Sequence, residues 1–278
     1  MTRLDQAART RIVNLDALSG ASERMIPAFT GAGAQAEYVS RYEWAGARVS
    51  GRVLDLGCSV GYGAPMLLGA GADSRSVVGL DYHGETLCYA AETYGGPRIA
   101  FVQADGCRLP FASGSFDSAV CLEMIEHVPD PHALLEEVAR VLKGDGRLVI
   151  STPNKWISSP LWPTPLNPHH RTEWYPSRFL GMVGRRFIVQ EVFGQKWQPM
   201  TAPVSAWNRA FRLLIKRALQ ALGLLSAARG AYRSILPHRE RTPADRDQLL
   251  LRKVSEPRGR MPEIIIAVAC RRSRSPSC

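Results

Sequence analysis

The 278-residue sequence lacks any apolar run of the roughly 18 residues that a membrane span needs. Its opening stretch, Met1 to Leu18, alternates charge with aliphatics and has no continuous h-region. The expectation is a cytoplasmic chain, neither secreted nor membrane-spanning. The six cysteines (Cys58, Cys88, Cys107, Cys121, Cys270 and Cys278) form no CxxC pair and no zinc-type spacing. A disulfide framework and a structural zinc are thereby excluded, and reduced thiols are expected. There is no internal repeat. With 45% hydrophobic and 22% charged residues, the chain is neither disordered throughout nor fibrous.

Acidic residues are scarce in one place only. Residues 1–203 carry 19 Lys+Arg against 20 Asp+Glu, whereas residues 204–278 carry 16 against 5. The whole net charge of +10 therefore belongs to the last quarter. Such a segment fits an anionic partner, whether nucleic acid, lipid headgroup or phosphorylated substrate, and equally fits an arginine-rich solvated face.

What the sequence does contain is an alternation of short aliphatic runs with helix-like segments, bounded by Gly, Asp and Pro. This pattern predicts a parallel sheet with crossover helices. The expected strands are Arg52 to Leu56, Ser76 to Leu80, Ile99 to Gln103, Ser118 to Leu122 and Arg147 to Thr152, followed by Phe187 to Val192 and Ile264 to Cys270. Helices are expected over Ala64 to Leu68, Glu85 to Tyr94 and Pro131 to Leu142, the last opened by Asp130 and Pro131 as N-cap and first residue. Pro153, Pro160, Pro163, Pro165, Pro168 and Pro176 predict an ordered loop or lid.

Between the last two strands lies an insertion, residues 196–262, whose clearest element is Ser205 to Leu225. There Ser205, Arg209, Arg212, Lys216, Gln220 and Gly223 make a polar stripe on an apolar helix. It reads either as a packed substrate-covering helix or as a membrane-surface or partner-binding helix. The domain reading is thus residues 1–50 as an N-terminal covering segment, 51–195 as the main domain, 196–262 as the basic insertion and 263–278 as the last strand and tail.

Asp55-Leu56-Gly57-Cys58-Ser59-Val60-Gly61-Tyr62-Gly63 runs from a strand through a glycine-rich turn into a helix. Alone this is a weak nucleotide fingerprint. Asp81, twenty positions after Gly61, strengthens it, because a carboxylate at the tip of the second strand can accept both ribose hydroxyls. Asp105 closes the third strand and points to the same crevice.

On these residues, with Leu109-Pro110-Phe111, Ser115-Phe116-Asp117, Glu123 to Val128 and Leu148 to Asn154, the chain resembles the class I S-adenosylmethionine-dependent methyltransferases over most of residues 22–195. The resemblance implies an α/β, Rossmann-like, seven-stranded and mostly parallel sheet with helices on both faces, plus the helical insertion before the last strand. It further implies an enzyme that binds S-adenosyl-L-methionine through Asp55, Gly57, Ser59, Gly61, Asp81 and Asp105. By that likeness the first turn wraps the methionine part, Asp81 holds the ribose and Asp105 contacts the adenine. Ser59 departs from the usual glycine, and Lys143 to Gly146 lacks the usual proline. The segment Tyr38 to Ala45 either covers the cofactor or simply packs on the sheet.

A hydroxyl acceptor must lose a proton, so a base or a metal near the sulfonium is required. If Glu123, Glu126 and His127 follow the fourth strand as a helical turn, they share one face. Two carboxylates and an imidazole could then hold Mg²⁺ or Mn²⁺. The run is similar to the metal-dependent small-RNA 3′-terminal 2′-O-methyltransferases, in which a downstream His-x-x-Glu-Trp, here His170 to Trp174, supplies a further ligand; His169 is the near alternative. It also looks like the ubiquinone-biosynthesis O-methyltransferases. Without a metal, His127 or His170 would act as a simple base and Glu126 would orient the substrate.

The leading expectation is an O-methyltransferase acting on a small molecule, a sugar, glycan or secondary metabolite. RNA 2′-O-methylation and a cofactor-binding partner protein without turnover are the alternatives. Nucleic acid is disfavoured because the basic quarter has few aromatics suited to base stacking.

Overall fold

The computed structural model describes residues 32–69, 74–160, 162–199, 251–254 and 260–272. Helix α1 (Ala32–Gly46) precedes β1 (Gly51–Leu56), α2 (Gly63–Gly69), β2 (Ser74–Asp81), α3 (Gly84–Tyr94) and β3 (Ile99–Gln103). Then come β4 (Phe116–Leu122), a 3₁₀ turn (Ile125–His127), α4 (Pro131–Val141), β5 (Leu142–Pro153), α5 (Lys155–Ser158), α6 (Pro176–Val183), β6 (Phe187–Pro199), β7 (Arg252–Lys253) and β8 (Arg260–Arg271).

These strands form one eight-stranded sheet in the order β3-β2-β1-β4-β5-β8-β6-β7. The pairs from β3 through β5 are all parallel, and β8 runs antiparallel to both β5 and β6. The strand order reverses between β1 and β4, so a crevice opens there at the carboxyl ends of the strands. The expected seven strands are present, and the eighth is the two-residue β7, which pairs Lys253 with Phe193 and Arg252 with Gly194. Two residues carry too little pattern to be read from sequence.

Alternation along the strands divides the core. Leu54, Leu56, Val78, Leu80 and Ile150 face one side, where Leu134, Leu135, Val138 and Val141 of α4 and Phe179 and Val183 of α6 meet them. Val53, Val77, Val120, Val149, Ile266 and Val268 face the other, against Tyr42 and Ala45 of α1 and Ala64 and Leu67 of α2. Asp130 caps α4, accepting from the backbone N–H groups of His132 and Ala133 at 3.0 Å each, so this helix starts where its capping residues predict.

Two expectations shift. The proline-rich stretch after Pro153 is not only loop: Asn154 accepts from Trp156 N at 3.1 Å and caps α5, and Pro176 occupies the first turn of α6. The boundary drawn after residue 195 falls inside β6, which continues to Pro199. Lys196, with φ of 58°, ties that strand down, its Nζ lying 3.2 Å from Glu37 and 2.9 Å from Glu263. Burial alone would lower the Lys196 ammonium, but Glu263 and Glu37 hold it above its ordinary value. Gln195 adds hydrogen bonds to Glu37 O at 3.2 Å and Ser40 Oγ at 2.9 Å. Together they fix α1 over the sheet. The helix expected over Ser205 to Leu225, with Arg209, Arg212 and Lys216, lies outside the described residues. Among the described residues no helix is long and apolar enough to cross a membrane.

The packing of α6 gives a direct test. Phe179 is fully buried in the core that α4 and α6 share with the sheet, whereas Ile188 is 50% exposed. Phe179→Ala should cost about 3 to 5 kcal/mol in urea denaturation, and Ile188→Ala less than about 0.5 kcal/mol. Equal effects would mean that α6 is not packed as described.

Candidate functional site

A cleft of about 780 Å³ opens at the β1–β4 switch point. Three walls enclose it: the β1–α2 turn with the tips of β2 and β3, the face of α1, and the segment after β4 facing residues 167–171.

The β1–α2 turn is bent back by three left-handed residues, Gly57 (φ 72°), Ser59 (φ 52°) and Gly61 (φ 80°). A β-carbon at Gly57 would lie 2.7 Å from Met124 Cγ, and one at Gly61 would lie 2.6 Å from Ala90 Cβ. Only glycine fits at either point. Ser59 takes the same conformation with a side chain, at a cost of about 1 kcal/mol. Its N–H donates to Asp81 Oδ2 at 2.9 Å, which locks the turn to the tip of β2. Asp81 Oδ1 accepts from His83 N at 3.0 Å and faces His83 Nδ1 at 3.2 Å. Asp105 accepts from Cys107 N at 2.8 Å and lines the cleft beside Ala104 and Gly106.

Asp55 lies beneath this wall and does not line the cleft. Tyr42 Oη donates to Asp55 Oδ1 at 3.2 Å, and Oδ2 is buried without a hydrogen bond. Burial, opposed by the Tyr42 bond and reinforced by Asp81, lifts the Asp55 carboxyl to about 8. The sequence placed Asp55 and Gly61 among the cofactor residues; the structure makes them the frame of the turn, while Gly57, Ser59, Asp81 and Asp105 line the cleft.

The second wall contributes Arg41, which the sequence reading passed over. It is 3% exposed, stacks over the Tyr38 ring at 4.5 Å and brings Nη1 to 3.3 Å from Glu123 Oε2. That contact is one of charge; Nη1 is buried and makes no directed hydrogen bond. Burial alone would lower the guanidinium, yet Glu123 and the other facing groups keep it above its ordinary value. A cation one step from the Tyr38, Tyr42, Ala45 stripe was the available signal.

The third wall gathers Glu126, His127 and His170. One ligand atom from each lies within 4.8 Å of the others. His127 Nδ1 is 2.9 Å from the His169 carbonyl, which can only accept, so Nδ1 carries the proton and Nε2 the lone pair. His170 Nδ1 faces Glu173 Oε1 at 2.7 Å, and Ser158 Oγ donates to Glu173 Oε2 at 2.6 Å. Asn167 Oδ1 accepts from His169 N, so its Nδ2 donates to His170 Nε2 at 2.9 Å. Each Nδ1 is held by an acceptor behind it, as in metal-ligating histidines, and His170 Nε2 would exchange its bond from Asn167 for a cation. Glu126 is 1% exposed; Thr152 Oγ1 donates to its Oε2 at 3.1 Å, while Oε1 has no hydrogen bond and lies 4.0 Å from His127 Nε2. Burial first and Glu123 second push the Glu126 carboxyl well above its usual range.

Glu123 does not join this group. The expected helical turn begins only at Ile125, and Glu123 sits before it with φ of 53°. Its Oε1 accepts from Ser151 Oγ at 2.7 Å and its Oε2 faces Arg41. The expected pair of carboxylates is therefore a single one with two imidazoles, a donor set better suited to Mn²⁺ than to Mg²⁺. His169 contributes its carbonyl to His127. Glu173 is the positioning residue behind His170, and its i+3 spacing in the His-x-x-Glu-Trp run was the signal for it.

Among the described residues, six buried side-chain polar atoms make no hydrogen bond, and four of them, on Arg41, Asp55, Ser59 and Glu126, lie in or beneath this cleft. Unpaired buried groups are rare and mark places where a ligand completes the set. Ser59 Oγ, Arg41 and the Asp81 carboxylate fit the zwitterionic and ribose parts of S-adenosylmethionine, and Glu126 Oε1 with two imidazoles fits a divalent cation.

Two outcomes follow. Asp81→Ala should remain folded and weaken S-adenosylmethionine binding by about 1 to 3 kcal/mol in calorimetric titration; unchanged affinity would remove the ribose assignment. A folded-state carboxyl near 8 means that the native protein holds a proton the unfolded chain has released, so the Asp55 contribution to stability falls between about pH 4 and 8. Asp55→Asn should gain thermal stability relative to the parent as the pH rises from 5 to 8, and a gap independent of pH would show that Asp55 is ionised throughout.

The methyltransferase-domain family model matches residues 54–150, which run from β1 through β5. A probable S-adenosylmethionine-dependent methyltransferase of Mycobacterium tuberculosis is 38% identical over 121 residues, 44% of this chain and 42% of that protein. The chain thus spans less than half the length of that relative. A ubiquinone biosynthesis O-methyltransferase of Aliivibrio fischeri is 30% identical over 167 residues, 54% of this chain and 69% of that protein. In fold, the YcgJ protein of Bacillus subtilis superimposes with a TM-score of 0.54 at 20% identity, covering 87% of this chain and all of that one. An S-adenosylmethionine-dependent methyltransferase from Mesorhizobium loti gives 0.51 at 20% identity, over 83% of this chain and 98% of that one. The glycine turn, the Asp81 tip and these alignments agree: the chain belongs to the class I S-adenosylmethionine-dependent methyltransferases.

Proposed function

We propose that the protein transfers a methyl group from S-adenosylmethionine to a hydroxyl of a small molecule such as a sugar, glycan or secondary metabolite, with a divalent cation held by Glu126, His127 and His170. The observation that carries this reading is the buried, unpaired Glu126 Oε1 beside two imidazoles, in the same cleft as Ser59 and Asp81. The ubiquinone biosynthesis O-methyltransferase relative supports a hydroxyl acceptor. The cleft volume of about 780 Å³ lies in the range of small-molecule sites.

S-Adenosylmethionine supplies a methyl group on a positively charged sulfur, and a cation at this site would supply charge that makes a nearby hydroxyl more acidic. The chain's own residues position and select. Asp81 holds the ribose hydroxyls, Arg41 the methionine carboxylate, and Gly57 lets the turn approach. Thr152 fixes the Glu126 carboxylate from behind, and Glu173 and the His169 carbonyl fix the two rings. Alignment of the acceptor with the sulfonium then supplies much of the acceleration.

The same geometry supports one cation-free reading. His127 Nε2 carries a lone pair, its ring is 34% exposed, and Glu126 stands 4.0 Å away to stabilise an imidazolium. In that case His127 takes the hydroxyl proton as general base.

Chelation separates the two. With a cation, exhaustive EDTA dialysis should abolish turnover, Mn²⁺ should restore it, and alanine at Glu126, His127 or His170 should each cost about as much as all three together. Glu173→Gln should weaken Mn²⁺ binding by about 10- to 100-fold. Full activity in chelator, with a large loss only for His127→Ala, would establish the base instead.

A further inference from the structure

Glu123 is anchored between two parts of the cleft. Its own N–H donates to Ser151 Oγ at 3.1 Å, the same hydroxyl donates back to Oε1 at 2.7 Å, and its backbone is held at φ of 53°. The carboxylate is thus fixed from below, with Oε2 turned to Arg41 at 3.3 Å. Arg41 is equally constrained. Its Nε donates to Glu37 O at 3.4 Å, and α1 is clamped by Lys196 through Glu37. A buried cation and a partly buried carboxylate therefore meet at 3.3 Å without the alignment of a directed hydrogen bond. Both line the cleft, together with Ser59, Tyr62, Glu126 and His127.

We infer that Arg41 is shared by two anions, the Glu123 carboxylate and the carboxylate of the methionine part of S-adenosylmethionine, and that this sharing couples cofactor binding to cation binding at Glu126, His127 and His170. The inference rests on the cation reading of the site. Buried charges interact strongly because water screens them little. Glu123 stands three positions before Glu126 and lines the same cleft as Glu126 and His127. While Arg41 faces Glu123 it cancels part of the negative charge there. A carboxylate that engages Nη1 from the cleft takes a share of the guanidinium, and the negative charge so released at Glu123 adds to the attraction for a divalent cation nearby. Linkage makes the effect reciprocal: the cation must tighten the cofactor by the same factor. Glu123 thereby has a role different from a ligand's, that of a positioning residue which carries charge between two subsites.

The test is a calorimetric titration of Mn²⁺ into the full chain at one pH, alone, saturated with S-adenosylhomocysteine, and saturated with 5′-methylthioadenosine. The last keeps the thionucleoside and lacks the carboxylate. The expected result is a tightening of the Mn²⁺ Kd by about fivefold or more with S-adenosylhomocysteine, no change with 5′-methylthioadenosine, and loss of the S-adenosylhomocysteine effect in Glu123→Gln with Mn²⁺ binding retained. The same Mn²⁺ Kd in all three samples, equal tightening by both nucleosides, or coupling that persists in Glu123→Gln would overturn the shared role of Arg41 and leave the cation site standing. No Mn²⁺ binding in any sample would overturn both.

Discussion

The constraint on which this structure turns is that buried polar groups must find partners, and that one cleft breaks the rule on every side. Among the described residues outside it, only Ser115 Oγ and Gln195 Oε1 are buried without a hydrogen bond, and Arg140 alone bonds Glu137 and the carbonyls of Phe111 and Leu109. At the β1–β4 crevice, Arg41 Nη1, Ser59 Oγ and Glu126 Oε1 are buried without hydrogen bonds, with Asp55 Oδ2 beneath them. Leaving such groups unmade costs about 1 to 3 kcal/mol each. The folded state tolerates that only because neighbouring clamps hold the atoms in place: Lys196 fixes α1, Ser151 and Thr152 fix the glutamates, and Glu173 fixes His170. Preorganisation of this kind stores binding energy for ligands that complete the set.

The charge arrangement divides the cleft. On the α1 side the unpaired atom belongs to a cation, and on the side of the 3₁₀ turn it belongs to a carboxyl. A zwitterionic cofactor suits the first and a divalent cation the second. Glu123 stands between them and faces both, which is why a residue that ligates nothing can still govern how the two ends communicate.

Much of this was legible in the sequence, for identifiable reasons. Four of the five parallel strands, β1, β2, β4 and β5, announce themselves because strands buried on both faces need continuous apolar runs, and Asp130-Pro131 marks the start of α4 by capping chemistry alone. Asp81 was readable because a strand tip twenty residues beyond a glycine turn has few other uses for a carboxylate. What could not be read depends on backbone geometry or on contacts distant in sequence. The positive φ of Glu123 turns a residue with ideal helical spacing away from the cluster. Arg41 meets Glu123 only after α1 is folded back over the sheet, a separation of 82 positions. The Glu173 brace likewise arises from a contact distant in sequence, Ser158 to Glu173, and Asn154, which caps its helix locally, is itself tied to the Pro262 carbonyl at 2.9 Å.

The decisive measurement is a crystal of the chain grown with S-adenosylhomocysteine and MnCl₂, with anomalous data collected at the manganese edge. An anomalous peak is expected against Glu126 Oε1, His127 Nε2 and His170 Nε2, the last having exchanged its bond from Asn167 Nδ2 for the cation, with the amino-acid carboxylate of S-adenosylhomocysteine on Arg41 and its ribose on Asp81. A peak on Glu123, no peak within ligand distance of the two imidazoles, or a carboxylate held away from Arg41 would contradict this arrangement.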